Sequence, residues 1–262
     1  MLTLRPTAGR VAAVLSRNLV LVRRNRALML LSGVLEPVFY LLSIGVGVGS
    51  LVGDLPLADG RRVPYAAYVA PAMLAAAAMN GAITETLYVF FGRLRYARLY
   101  EAILATPVRP VEIALGELGW ALVRGTVYSA LFLALMVGLD LASWPRALAA
   151  LPVTLLVGVV FGAAGMLVAT LLRSWQDFDL TITAQYVLLL FSATFIPPER
   201  LPGAARWLVE LSPLAHAVAL LRGLLVGGAG AGRLALSAAL LAALAAACFA
   251  VAARRLARRL HR

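Results

Sequence analysis

Lysine is absent from this sequence: all 24 basic side chains are arginine. That absence removes the phosphate-loop lysine that grips a nucleotide, the Schiff-base lysine and the serine–lysine dyad in one step. Any ATP used on behalf of this chain must be hydrolysed by another. Cysteine is nearly missing too, and Cys248, alone in the last apolar run, allows neither a disulfide framework nor a cysteine metal site. His216 and His261 have no matching ligands around them, so no metal is expected. Charged residues make up only 14% of the chain, far below the usual share of a soluble domain.

What fills the space is apolar, at 62% of 262 residues, which marks a polytopic membrane protein. A net charge of +12 would suggest nucleic acid in a soluble chain. Here the arginines sit in short segments between apolar runs, as topology requires, and no nucleic-acid partner is expected. Five arginines between Arg10 and Arg26 interrupt any early apolar core, so the N-terminus reads as retained rather than as a cleaved signal peptide.

A membrane-crossing helix needs about 20 mostly apolar residues. Six runs qualify, at 27–52, 63–92, 116–139, 147–172, 180–198 and 234–253. The expected architecture is one all-α membrane domain over 1–262 with six transmembrane helices. Residues 5–26 should form an amphipathic helix at the interface, because Val11, Val14, Leu15, Leu19 and Val22 recur at steps of three and four with arginines between them. Such a helix is either an anchor in anionic headgroups or a lever between a cytosolic partner and the first span. Residues 199–233, broken by Pro202, Pro213, Arg222 and a Gly-rich stretch, are too short in each piece to span and fit extracellular re-entrant half-helices. Counting arginines on alternate sides puts sixteen on one side and seven on the other, with Arg124 inside the membrane. That bias places both termini, and the polar island at 93–113, in the cytosol.

Charges inside the spans are costly and therefore informative. Glu36, Glu85 and Arg124 fall at similar depths when residues are counted inward from the cytosolic ends of the first three spans. They either form an ion-pair network, Arg124 with Glu85, Glu36 or both, or place Arg124 on a substrate path. Glu117, Trp120, Arg124 and Tyr128 follow helical steps and form one polar-aromatic face, suited to lining a path for an amphiphile or to packing against neighbours. Asp177 and Asp179 form a D-x-D pair, as in metal–nucleotide glycosyltransferases, but two acids in a short turn more often cap the next helix. Gly158, Gly162 and Gly165 allow close helix approach in the fourth span.

Three segments in register carry a family resemblance. The string Tyr100-Glu101-Ala102-Ile103-Leu104-Ala105-Thr106-Pro107-Val108-Arg109, running on to Ile113 through Leu118, resembles the loop after the second span of ABC-2 type permeases. Leu35-Glu36-Pro37-Val38-Phe39-Tyr40-Leu41 with the glycines at 45, 47 and 49 resembles the first span of the branch that includes nodulation lipo-oligosaccharide exporters and daunorubicin-resistance permeases. Leu211-Ser212-Pro213-Leu214-Ala215-His216 and Leu220-Leu221-Arg222-Gly223 resemble the block before its last span.

The resemblance implies a permease of an exporter of lipid-linked or amphiphilic cargo in the plasma membrane. It implies a homodimer or a paired second permease, and an ATPase subunit in trans that carries ATP and Mg, with no cofactor on this chain. It also makes 93–113 a coupling segment, in which Arg93, Arg95, Arg98, Tyr100 and Glu101 offer charge and an aromatic anchor. Thr106 and Pro107 end its helix and turn the chain back. The plainer reading is that these arginines only enforce topology and that Tyr100 is an interface aromatic. The alternative class, a membrane-embedded lipid-linked transferase, would need convergent acids, histidines or lysines, and only the D-x-D pair is present.

Overall fold

The computed structural model describes residues 7–23, 35, 38–39, 41–57, 60–195 and 202–260. Ten helical segments and a short hairpin are seen among them. They are α1 (Ala8–Arg23), α2 (41–52, π-helical over Leu41–Val48), β1 (Asp54–Pro56) and β2 (Arg62–Pro64), α3 (Tyr65–Arg95) and α4 (Leu99–Leu104). After these come α5 (Pro110–Gly138), α6 (Trp144–Ala169), α7 (Phe178–Leu190), α8 (Gly203–Leu211), α9 (Pro213–Leu225) and α10 (Ala231–Leu260). The strands pair antiparallel with Leu55 opposite Val63.

Four of these helices, α3, α5, α6 and α10, are long and apolar enough to cross a membrane. Of the expected first span, only its end lies within the described residues, and Glu36 lies outside them. The expected span at 180–198 is a helix of 13 residues, about 20 Å long. It stops at Leu190, and Ala193 then takes a left-handed φ of 55°. Two short helices, α8 and α9, fall within residues 199–233, where re-entrant half-helices are expected. The hairpin between the first two spans was not foreseen.

Local chemistry sets the boundaries. Helix α5 begins six residues before the expected span, inside the polar island, because Pro110 suits its first turn and Glu112 accepts from the Arg109 N–H at 2.9 Å. Glu112 also accepts from the Thr7 N–H and hydroxyl, each at 3.0 Å, which fastens the start of α1 to the start of α5. In α3 the hydroxyls of Thr84 and Thr86 bond back to Asn80 O and Ala82 O, each at 2.8 Å. This competition with the backbone ladder coincides with a π-helical stretch over Thr84–Val89 that re-aims the side chains after it.

Helix α6 runs through the middle, with Val157, Val160, Ala163, Met166 and Ala169 fully buried. Its glycines admit the neighbours: a Cβ on Gly162 would stand 2.6 Å from Leu118 Cδ1, and one on Gly165 2.6 Å from Thr86 Oγ1. Both obstacles are side-chain ends that can turn. Gly116 on α5 is tighter, since its added Cβ would meet Val14 Cβ and Cγ1 at 2.6 Å and Val11 O at 3.3 Å. Gly116→Ala is expected to lift α1 from α5 and destabilise by roughly 1–3 kcal/mol, more than Gly162→Ala, as read by thermal unfolding in detergent.

The loops gather at two ends. At one, Arg146 and Arg61 donate to Leu225 O and Val226 O at 3.2 and 3.3 Å, holding the carbonyls at the end of α9. Arg222 donates to Tyr68 O, Ala193 O and Thr194 O, with its guanidinium 3.8 Å from the Tyr68 ring centroid. Three of the seven arginines on the sparser side thus hold backbone in place.

Candidate functional site: the basic end and an intramembrane ion pair

Helix α1 does not simply lie on a surface. Its Val14 and Asn18 are buried against α5, while Leu19, Val20 and Leu21 remain exposed. The polar member of the buried row, Asn18, donates to Glu117 Oε2 at 3.1 Å. Glu117 is a hub: Arg17 of α1 reaches its Oε1 at 2.6 Å and Arg93 of α3 its Oε2 at 2.5 Å. One buried carboxylate therefore joins α1, α3 and α5, satisfied by two guanidinium donors and one amide donor.

This arrangement reorders the residues singled out from the sequence. Glu117, expected on a polar-aromatic face that either lines a path or packs against neighbours, faces Arg17 and Arg93. Arg93, expected to be offered outward, is committed to Glu117. Tyr100, expected as an exposed aromatic anchor, is 1% exposed, its ring 5.0 Å from that of Phe90. Burial pushes its phenol well above the usual value, and the neighbouring Glu117 charge adds to this. Helix phase explains the reversal: α4 is a short helix folded back on the end of α3, so its tyrosine turns inward.

The outward face carries Arg95, Arg98, Glu101, Thr106 and Pro107. Arg95 donates to Leu172 O at 3.2 Å, and Arg98 opens α4 with a left-handed φ of 46°. The Thr106 hydroxyl bonds back to Ile103 O at 2.6 Å as the helix ends. The exposed aromatics here are two that sequence reasoning passed over. Tyr96, 60% exposed, stacks on Trp175, 49% exposed, with centroids 5.7 Å apart. Trp175 in turn contacts Phe91 and Phe178, which carry the pair on the bundle. The signal available beforehand was one aromatic in each of two arginine-bearing loops.

The D-x-D turn is a cap. Asp177 accepts from the Arg173 and Ser174 N–H groups at 2.7 and 3.1 Å, and these donors hold its carboxyl below the usual range. Asp179 lies in the first turn of α7. His216 contacts Ser237 Oγ at 3.2 Å and Glu210 O at 3.1 Å, tying α8, α9 and α10 together. Among the described residues, no group of three histidines, cysteines or acids could hold a metal.

Within the bundle, Glu85 of α3 and Arg124 of α5 form an ion pair. Arg124 also donates to the Tyr128 hydroxyl at 2.8 Å. The Glu85 side chain is 6% exposed and that of Arg124 21%. Arg124 sits at the edge of an uncovered apolar face formed by Val123, Val127 and Leu131, whereas Trp120 is buried. The pair neutralises what would otherwise be an isolated intramembrane charge.

Comparison with known proteins follows the same lines. Residues 10–226 match the ABC-2 type transporter family. The chain is 34% identical over 217 residues to nodulation protein J of Rhizobium leguminosarum bv. trifolii, covering 82% of this chain and 80% of the relative. It is 33% identical over 216 residues to that of Rhizobium meliloti strain 1021, with the same coverage. It is 33% identical over 221 residues to that of Sinorhizobium fredii NGR234, covering 84% and 82%.

Proposed function

Because the chain belongs to the ABC-2 type transporter family and is a multi-pass membrane subunit of a transporter rather than an enzyme, we propose that it is the permease of an exporter driven by a separate ATPase. The basic end and both termini face the cytosol, by arginine bias. The ATPase, carrying ATP and Mg, docks on the outward face of α4 and the adjoining loops. The permease works as a homodimer or with a second permease. The cargo is lipid-linked or amphiphilic, such as a lipo-oligosaccharide, glycolipid or drug-like molecule.

The observation that carries this reading is the two-sided construction of the α4 region. Its outer side presents Arg95, Tyr96, Arg98, Glu101 and Trp175, a mixture of guanidinium, carboxylate and aromatic groups suited to a protein partner. On its inner side Tyr100 packs on Phe90 of α3, and three residues further along α3 Arg93 meets Glu117 of α5, which Arg17 of α1 also reaches. A displacement of α4 by a partner therefore acts first on α3 and passes through Arg93 and Glu117 to α5 and α1. The transferase alternative loses its acid pair, since Asp177 is committed to backbone N–H groups.

The combined variant Tyr96→Ala, Arg98→Glu, Glu101→Arg changes only this exposed surface. It is expected to insert and melt like the wild type while reducing co-purified ATPase by at least about tenfold, the loss of roughly 1.4 kcal/mol or more of binding. Undiminished recovery of the ATPase would remove this face as the docking site.

A further inference from the structure

A groove of about 640 Å³ lies at the basic end. Its walls come from the end of α4, the start of α5 and the last turns of α10. Leu104, Val108, Val111, Ala257 and Leu260 make it apolar, while Arg109 and Arg254 line it as well. Among the described residues, no carboxylate lines it. The nearest one along the chain, Glu112, is turned to Thr7 and Arg10.

The position is as informative as the lining. Helix α10 carries no charge from Leu234 to Ala253 and then bears Arg254, Arg255, Arg258 and Arg259, so the groove sits where apolar helix gives way to charge. Arg254 is exposed and, among the described residues, has no carboxylate partner. The N-terminus of α5 at Pro110 adds the positive end of a 29-residue helix. An apolar slot with guanidiniums and a helix N-terminus at its mouth, placed at the headgroup level, is complementary to one chemistry: an acyl chain with an anionic phosphate. The volume falls in the range of about 300–1,000 Å³ that accepts a small amphiphile.

We propose that this groove binds an anionic phospholipid of the adjacent leaflet, its phosphate between Arg254 and the start of α5 and part of an acyl chain against Leu104, Val111 and Ala257. The test reads lipid binding by the permease alone, so it needs neither ATPase nor cargo. A lipid held there touches α10 and the α4–α5 junction together.

The experiment is native mass spectrometry of the delipidated protein in detergent. The probes are phosphatidylglycerol, phosphatidylcholine with the same chains, and inorganic phosphate. Phosphatidylglycerol is expected to be retained at least about fivefold better than phosphatidylcholine, with no retained phosphate. Arg254→Ala should lower phosphatidylglycerol retention about fivefold and phosphatidylcholine retention less, because the choline cation already offsets that phosphate charge. Ala257→Trp, which fills the slot, should reduce both, and Ala253→Leu serves the same purpose if the larger residue prevents folding. Equal retention of the two lipids overturns the proposal, as does full displacement of lipid by phosphate. So does unchanged phosphatidylglycerol binding in the Arg254 and groove-filling variants, the result expected if a protein surface covers the groove instead.

Discussion

Glu117→Ala is expected to release α1 from the bundle and to lower the unfolding midpoint in detergent by about 5–10 °C. The carboxylate accepts from Arg17 at 2.6 Å, Arg93 at 2.5 Å and Asn18 at 3.1 Å, so its loss leaves two guanidiniums facing each other with nothing between them. Breaking a buried ion pair costs about 3–5 kcal/mol. Arg17 and Arg93 are 25% and 19% exposed and can partly turn to water, which reduces the expected cost to about 2–3 kcal/mol. For a chain of this size each kcal/mol corresponds to about 2–4 °C. Limited trypsin digestion gives an independent readout, since Arg10 and Arg17 should become cleavable before the rest unfolds. Glu117→Gln keeps an acceptor for Asn18 but not the charge, and should fall between wild type and alanine. An alanine variant that melts and digests like the wild type would show that the hub does not hold α1.

Arg124→Leu is expected to be still more damaging, because it leaves Glu85 buried and unpaired inside a membrane-spanning helix. Removing one partner of a buried pair costs about 3–5 kcal/mol, whereas replacing both by apolar residues is often neutral. The double variant Glu85→Leu, Arg124→Leu should therefore recover membrane-inserted protein and a melting temperature close to wild type, while the single variant accumulates poorly. Export then separates the two roles. A stable double variant that exports normally makes the pair purely structural. A stable double variant that does not export places Arg124, with Tyr128 beside it at 2.8 Å, on the cargo path. A double variant as poor as the single one would overturn the account of mutual neutralisation.

Much of the architecture was legible in one dimension. Four of the six apolar runs correspond to helices long enough to cross a bilayer, and the half-helices before α10 follow from Pro202 and Pro213. Opposed charges at matched depth pointed to Glu85 and Arg124. The fifth run was less legible, since apolar composition from 180 to 198 says nothing of the left-handed turn at Ala193 that follows α7. The start of α5 was missed because a proline right after Thr106-Pro107 and Arg109 looks like more loop, yet Pro110 and Glu112 are favourable first-turn residues.

Residue presence and absence determined that the chain is a multi-pass membrane protein and that it has no lysine-based nucleotide site. Both follow from run length and residue type alone, which do not depend on how the helices are arranged. Tertiary structure decided which polar groups face inward. It committed Arg93 and Tyr100 to the interior, joined Arg17 to Glu117, and stacked Tyr96 on Trp175 across two loops. Those outcomes depend on helix phase, which the π-helical stretch at Thr84–Val89 alters, and on partners distant in sequence. A string of arginines carries neither kind of information until the helices that bear them are packed.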